Sequence, residues 1–281
     1  MKSKYSLEDF LVVFGPRDTY LVRTPGVDLR WTLPVSSKLQ DILTSAKEVS
    51  FVAYPSLLDV EASELPDPVV AYVKKGLLGD SKFHLPEDNE PVLKEWLHKR
   101  WNNTVGIQVI SSNGAWWAQS SSGTTAFQSL PGDVRQLVKP NHPHGKVVHL
   151  AMGVQGAYIA VFDDGHCIWD LKGGYGRLDA HLDTRLSGEL LYASLSPFDA
   201  GAFFAVFHND TVIYDWPEGE EKRWSEIDGC FLEFDGLRVL TPSETLKFSV
   251  ATPKRPGALR QWTGQVLKDV ATQDIESVLE G

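Results

Sequence analysis

The feature that most constrains the fold is an internal repeat of short apolar strands. In its clearest copy, Tyr158 and Trp169 mark two strands eleven residues apart, with the turn Asp163-Asp164-Gly165 between them. The same spacing recurs in four further copies, whose marker pairs are Tyr20 and Trp31, Trp116 and Phe127, Phe203 and Tyr214, and Phe248 and Leu259. A sixth copy, marked by Val70 and Phe83, has two extra residues in its turn. Such a repeat decides the architecture of the whole chain.

The copies follow one another at intervals of 42 to 50 residues. Antiparallel units with this period are typical of propeller blades. One small sheet cannot bury both of its faces alone, whereas stacking buries them and closing a ring removes the exposed ends. We therefore predict an all-β chain: a six-repeat, propeller-like ring of three- to four-stranded antiparallel blades with short helical connectors. The alternative, two packed antiparallel sheets, leaves the period unexplained.

This prediction treats residues 1–281 as one domain. The approximate repeats are 10–45, 48–100, 105–140, 146–184, 189–228 and 229–270, followed by a C-terminal tail, 271–281. Segments with helical spacing are expected after most third strands, at 37–43, 91–97, 132–138, 175–182 and 264–270. The third-strand aromatics are expected to pack between blades; they are Trp31, Phe83, Phe127, Trp169 and Tyr214.

One stretch also resembles a known family. Residues 112–118, Ser-Asn-Gly-Ala-Trp-Trp-Ala, are followed by the step Leu130-Pro131-Gly132. Together they loosely resemble the repeats of tectonin-type propeller proteins, in which a Gly-aromatic strand alternates with a Pro-Gly step. The resemblance covers about one repeat well, and the other repeats lack the Leu-Pro-Gly step. It implies a propeller and, because some members of that family are lectins, it suggests sugar binding.

Composition and charge exclude several classes of partner. The chain has 27 basic and 37 acidic residues, a formal charge of -10. Nucleic acids and anionic membranes require a concentrated basic face, so neither is expected as a partner. The two cysteines, Cys167 and Cys230, favour reduced thiols in a cytoplasmic protein. The N-terminus has no apolar signal region, and no apolar run is long enough to span a bilayer. The oligomeric state is left open.

The chain contains no recognisable catalytic motif. It has no Gly-x-Ser-x-Gly elbow, and the glycines of 173–176 match neither a dinucleotide fingerprint nor a Walker loop, so no cofactor is expected. His142, His144 and His149 lie close in sequence, but the organised spacing of a zinc site is missing, and no metal site is predicted. Asp163 and Asp164 are typical residues of a hairpin turn.

Six residues remain as candidates for a site. Trp116 and Trp117 are adjacent on a strand, so their side chains face opposite ways and one of them could stack on a ligand. The first strand of each repeat is expected to line a central channel, which there includes Gln108, His149 and Tyr192. The predicted ligand-binding residues are Trp116, Trp117 and Gln108, and the candidate catalytic groups are His149, Tyr192 and Asp170.

These observations favour a binding function over catalysis. We expect a non-catalytic propeller that recognises a protein partner, a small ligand or a glycan at one face. The alternative is a cofactor-free enzyme of the cyclase or isomerase type, as in natural-product biosynthesis. Such an enzyme would use an aromatic-lined pocket with one histidine or carboxylate, because positioning and a single acid or base can carry the rate.

Overall fold

The computed structural model describes residues 4–16, 19–25, 27–33, 35–54, 68–74, 81–84, 91–100, 104–110, 115–120, 122–183, 190–216 and 237–240. Within these residues the chain forms five small sheets, each built from strands that follow one another in sequence. The first three sheets contain β1 (Leu11–Phe14), β2 (Tyr20–Thr24), β3 (Val27–Trp31), β4 (Ala46–Ala53), β5 (Val69–Lys74), β6 (Ser81–His84), β7 (Thr104–Ile110), β8 (Ala115–Ser120) and β9 (Thr125–Gln128). The last two contain β10 (Val147–Met152), β11 (Tyr158–Phe162), β12 (Cys167–Asp170), β13 (Leu190–Leu195), β14 (Phe203–Phe207), β15 (Thr211–Asp215) and β16 (Arg238–Val239).

The predicted small antiparallel sheets are confirmed. In each of the five, the first strand pairs with the second and the second with the third, all antiparallel. Both marker residues of every one of these repeats lie on the second and third strands. The short β16 is the exception, because it pairs with β15 in parallel.

The middle strands of the fourth and fifth sheets are continuous apolar runs, as expected for strands whose two faces are both covered. All five residues of β11 and all five of β14 are buried. Alternate side chains of one strand point to opposite faces, so each sheet contributes to two apolar clusters. On β14, for example, Phe203 faces the fourth sheet whereas Phe204 faces the first.

Four helices follow the third strands of the first four sheets, as predicted. They are α1 (Ser37–Ser45), α2 (Pro91–Arg100), α3 (Gly132–Leu137) and α4 (Gly176–Asp183). Each places two apolar side chains between the sheet that it follows and the next sheet: Leu39 and Leu43, Leu93 and Leu97, Val134 and Leu137, and Leu178 and Leu182. The segment predicted at 264–270 lies outside the described residues.

Packing between the sheets forms a closed cycle of five. Each pair of consecutive sheets shares one apolar cluster, and a further cluster joins the fifth sheet to the first. There, Trp216 contacts Phe14 and Tyr20, with ring centroids 4.6 and 5.7 Å apart. The first strands follow the same cycle, since β1, β4, β7, β10 and β13 contact one another in that order and β13 contacts β1.

The six-repeat ring is not confirmed. Among the described residues, the fifth sheet packs directly on the first. Of the predicted sixth repeat, 229–270, only residues 237–240 are described, and there β16 extends the fifth sheet. The markers Phe248 and Leu259 and the tail 271–281 lie outside the described residues.

Four of the five third-strand aromatics pack between sheets as expected. Trp169 is buried, and Trp31, Phe83 and Tyr214 are partly buried against apolar clusters. Phe127 differs: its side chain is 38% exposed, so it is not an inter-sheet packing residue. None of the helices in the described part of the chain is long and apolar enough to cross a bilayer.

Candidate functional site

A cavity of about 870 Å³ lies at the centre of the cycle of sheets. Its walls include residues of four first strands, β1, β4, β10 and β13, together with residues of β8. Most strand residues that line it are apolar, such as Val12, Val52 and Leu150. The charged and polar lining residues include Arg23, Glu48, Gln119, Lys146, His149 and Asp163. The cavity therefore has a mixed wall, with apolar strand residues interspersed with polar and charged side chains, and it is partly open.

Two of the predicted site residues, His149 and Tyr192, meet in this cavity. The ladder between β10 and β11 shifts register between Val147 and His149, and the ladder between β13 and β14 shifts between Leu190 and Tyr192. A bulge re-aims the side chain that follows it, and both side chains line the cavity. Their rings are in contact, with centroids 4.8 Å apart and planes inclined by 32°.

His149 links the fourth sheet to the fifth. Its Nε2 lies 2.6 Å from the carbonyl oxygen of Ala193, and the Ala193 N–H lies farther from the same nitrogen, at 3.3 Å. Because a carbonyl can only accept, we assign the proton to Nε2. Burial lowers the pKa of His149 to about 4, although the Ala193 carbonyl opposes that shift. The ring is therefore neutral at pH 7, and its Nδ1 is an acceptor with no hydrogen-bond partner among the described residues.

Tyr192 links the fifth sheet to the first. Its hydroxyl accepts a hydrogen bond from the Val12 N–H at 3.0 Å and donates one to the Val12 carbonyl at 3.3 Å. Burial raises its pKa to about 12, with the bond from Val12 acting in the opposite direction. A neutral phenol already bonded to the backbone is well suited to hold two strands together, and it is not a base at neutral pH.

The other polar groups around the cavity make similar links. Gln119 donates from Nε2 to the carbonyl of Val147 at 2.6 Å and so joins the third sheet to the fourth. Arg23 on the first sheet pairs with Glu48 on the second at 3.6 Å. His149, Tyr192, Gln119 and the Arg23–Glu48 pair thus each join one sheet to a neighbouring sheet.

The remaining predicted residues lie apart from this pair. Trp116 and Trp117 are 1% and 2% exposed and pack into two different apolar clusters, although Trp117 also borders the cavity. Gln108 lies on β7 opposite Trp117, but its side chain is outside the described part of the structure. Asp170 ends β12, the outer strand of its sheet, where its carboxylate pairs with Lys172 at 2.5 Å.

A second cluster, formed by the side chains of His144, Asp164 and His166, lies at one end of the fourth sheet. Asp164, in the turn between β11 and β12, approaches two imidazoles with its Oδ2 atom. Nδ1 of His144 is 3.1 Å from it and Nδ1 of His166 is 2.8 Å from it. The two imidazoles stack on each other, with centroids 4.0 Å apart. One ligand atom from each of the three residues falls within a span of 4.8 Å, so this cluster could hold a metal ion.

His142 lies behind this cluster. Its ring stacks on Phe162 with centroids 4.6 Å apart, and its Nδ1 accepts from the His144 N–H. Burial and the neighbouring His144 lower the pKa of His142 to about 4, and Asp164 acts in the opposite direction. For Asp164, desolvation raises the pKa, but bonds and charge from His166 and His144 outweigh it and the pKa is lowered.

Sequence reasoning considers His142, His144 and His149 together because they lie close in the chain. His142 and His144 are in contact, with ring centroids 5.6 Å apart, whereas His149 lines the central cavity. Sequence reasoning overlooked His166, because only the pairing of β10 with β11 and of β11 with β12 brings that residue to His144. The short sequence Asp164-Gly165-His166 next to a hairpin turn is the one signal that could have suggested it.

Comparisons with known proteins do not assign a family to this chain. No protein-family model matches it, and no curated protein matches it, so the tectonin resemblance stays a prediction. Among solved structures, the chain is similar to one described as YCF48 bound to D1 peptide, with 12% sequence identity and a TM-score of 0.21. That alignment covers 78% of this chain and 66%, just under two thirds, of the other.

Proposed function

We propose that the chain is a single propeller-like domain whose function is to bind a small organic ligand in its central cavity. The proposed ring has five sheets rather than six. The observation that carries the proposal is the cavity itself, whose volume of about 870 Å³ lies within the roughly 300–1,000 Å³ of known ligand pockets. Walls made from several first strands provide a rigid and preformed site.

The lining indicates what kind of ligand would fit. Apolar strand residues favour a molecule with an apolar body. The neutral His149 ring offers its Nδ1 as an acceptor, which favours an O–H or N–H donor on that molecule. A glycan is less well matched, since Trp116 is buried away from any surface that a sugar ring could reach. A protein partner would have to insert a side chain or chain end of comparable size.

Filling the cavity tests this proposal. Ser194→Trp places an indole in the cavity wall, and Gln40→Trp, on the exposed face of α1, is the matched control. Anilinonaphthalene sulfonate, an anionic fluorescent dye with an aromatic apolar body, should bind the wild type and Gln40→Trp saturably and lose binding to Ser194→Trp. Native mass spectrometry after exposure to a metabolite extract would then identify a natural ligand. Equal dye binding by the folded Ser194→Trp variant would contradict the proposal.

A cofactor-free enzyme is the second candidate. It is favoured by the contact between the His149 and Tyr192 rings inside the cavity, where Nδ1 of His149 could act as a base. Two observations weaken it: the Tyr192 hydroxyl is bonded to Val12, and Asp170 is not among the residues that line the cavity. Once a ligand is known, turnover that His149→Gln abolishes while binding persists would establish catalysis. Binding without turnover would exclude it for that ligand.

A further inference from the structure

We propose that His144, Asp164 and His166 form a binding site for a divalent first-row transition ion, with Zn²⁺ as the expected ion. This inference is independent of a ligand in the central cavity. It rests on the geometry of three side chains at one end of the fourth sheet and on the donor atoms that they present.

The donor set is the first argument. Two imidazole nitrogens and one carboxylate oxygen are the protein ligands of many open zinc sites, in which water or substrate takes the remaining position. Harder ions such as Mg²⁺ and Ca²⁺ prefer oxygen ligands throughout, so a set with two nitrogens selects against them.

The distances are the second argument. Ligand atoms about 2.1 Å from one zinc ion, at angles of about 90–110°, lie about 3.0–3.4 Å apart. Nδ1 of His144 already lies 3.1 Å from Oδ2 of Asp164. Nδ1 of His166 lies 2.8 Å from the same oxygen and would open by a few tenths of an ångström. An ion would replace the protons that these nitrogens share with the carboxylate.

The third argument is that the backbone holds these groups in place before any ion arrives. The other carboxylate oxygen of Asp164, Oδ1, accepts the N–H of His166 at 2.9 Å, which turns Oδ2 towards the imidazoles. Gly165 between them has φ +85°, a left-handed conformation that a glycine adopts without strain. The His144 ring lies between His166 and Phe162 and its side chain is 11% exposed.

Access to the site is open from solvent. The side chains of Asp164 and His166 are 38% and 42% exposed, so an ion can enter and its remaining coordination positions can hold water or an added ligand. The neighbouring residues Lys146 and Asp163 line the central cavity, but His144, Asp164 and His166 are not among its lining residues.

Zinc titration of the full-length, tag-free chain tests the proposal. After chelator treatment and removal of the chelator, calorimetry with ZnCl₂ should show one saturable site per chain that millimolar Mg²⁺ or Ca²⁺ does not block. His166→Ala should weaken binding by at least about tenfold, because removing even a supporting group of a metal site costs about 10–100-fold. The matched control is His208→Ala, since His208 lies in the corresponding turn of the fifth sheet and should leave the affinity unchanged.

A second variant and a spectroscopic readout separate metal binding from a structural role. Asp164→Asn keeps an oxygen to accept the His166 N–H but removes the charge, and it should also weaken zinc binding. Co²⁺ should give visible absorption bands in the wild type and in His208→Ala that both ligand variants lose. Absence of saturable binding, half an ion per chain, or equal affinity in the folded His166→Ala and His208→Ala variants would each overturn the site. None of these outcomes bears on whether the central cavity binds a ligand.

Discussion

The fourth and fifth sheets share one backbone design and carry different chemistry. Each has three antiparallel strands and a bulge early in its first strand. The residue after the bulge is His149 in one sheet and Tyr192 in the other, and the two rings touch in the cavity. Both side chains also hydrogen-bond to the first strand of the next sheet in the cycle: His149 to Ala193 on β13, and Tyr192 to Val12 on β1. A repeated position can therefore keep its structural task while its titration behaviour changes.

The hairpin turns of these two sheets differ more strongly. The turn between β11 and β12 brings Asp164 and His166 to His144, which lies on the chain that enters β10. The turn between β14 and β15 also has a histidine, His208, but residues 184–189, which precede β13, contain no histidine. A repeat acquires a candidate metal site only where the entering chain and the turn both supply ligands.

The largest expected effect on stability comes from the phenylalanine that ends the middle strand of the fourth sheet and of the fifth sheet. Phe162 and Phe207 are 1% and 0% exposed, so replacing either with Ala should lower the free energy of unfolding by about 3–5 kcal/mol. Only Phe162 supports the histidine cluster, through its contacts with His142 and His144. Urea unfolding should show similar losses for both variants, whereas calorimetry should show weaker zinc binding for Phe162→Ala alone. Equal zinc affinities in the two folded variants would contradict the proposed support.

The next expected effect is a pH dependence of stability that comes from His149 and not from Tyr192, its counterpart in the fifth sheet. The pKa of His149 is about 4 in the folded chain and about 6.5 when unfolded. The unfolded chain therefore binds more protons between these values, and the stability from the neutral ring, complete above pH 6.5, is lost as pH falls towards 4. From about pH 7 to about pH 4.5 the wild type should lose about 2–3 kcal/mol more than His149→Gln.

Unfolding free energies of both proteins at several pH values measure this difference directly. His142, whose pKa is also lowered to about 4, contributes equally to wild type and variant, so its effect cancels. Tyr192→Phe is the matched control in the fifth sheet, since a phenol with a raised pKa does not titrate in this range. Parallel curves for the wild type and His149→Gln would show that the ring does not resist protonation.

Local sequence patterns were enough to predict the sheets. Apolar runs, turn residues and the eleven-residue spacing of pairs such as Tyr158 and Trp169 depend on neighbours within one hairpin. The number of sheets in the cycle was not predictable in this way. It is set by long-range packing, such as that of Trp216 on Phe14, for which no local pattern exists.

The candidate sites were harder to predict for the same reason. Whether His149 and Tyr192 face the cavity depends on a bulge in each first strand, and a bulge of one residue reverses the side-chain direction. His166 joins His144 only through hairpin register. Sequence reasoning singled out His144, His149 and Tyr192, but strand pairing determines which side chains meet, and it adds His166.

A smaller difference in the free energy of unfolding is expected between variants of Tyr175 and Tyr192, whose hydroxyls each join two neighbouring sheets. The Tyr175 hydroxyl accepts from the Val154 N–H at 2.9 Å and donates to the Ser196 carbonyl at 2.6 Å. Tyr175→Phe leaves these backbone groups without that partner and should cost about 1–3 kcal/mol. Tyr192→Phe should cost less, because its bonds to Val12 are longer and water in the cavity can replace them. Chemical denaturation of both variants measures the order, and a larger loss for Tyr192→Phe would contradict it.

The smallest effect is expected at the outer edge of the fourth sheet, around Asp170. Lys172 lies 2.5 Å from this carboxylate and 3.3 Å from that of Asp133, and all three side chains are more than one third exposed. Solvent-exposed pairs of this kind contribute about 0–1 kcal/mol, so Lys172→Met and Asp170→Asn should each change the free energy of unfolding by less than about 1 kcal/mol. Both variants should also bind the cavity probe as the wild type does, because neither residue lines the cavity. The contradicting outcome is loss of probe binding in the folded Asp170→Asn variant while Lys172→Met binds normally. That result would show that Asp170 belongs to the functional site and that the site lies at the outer edge of the fourth sheet rather than in the central cavity.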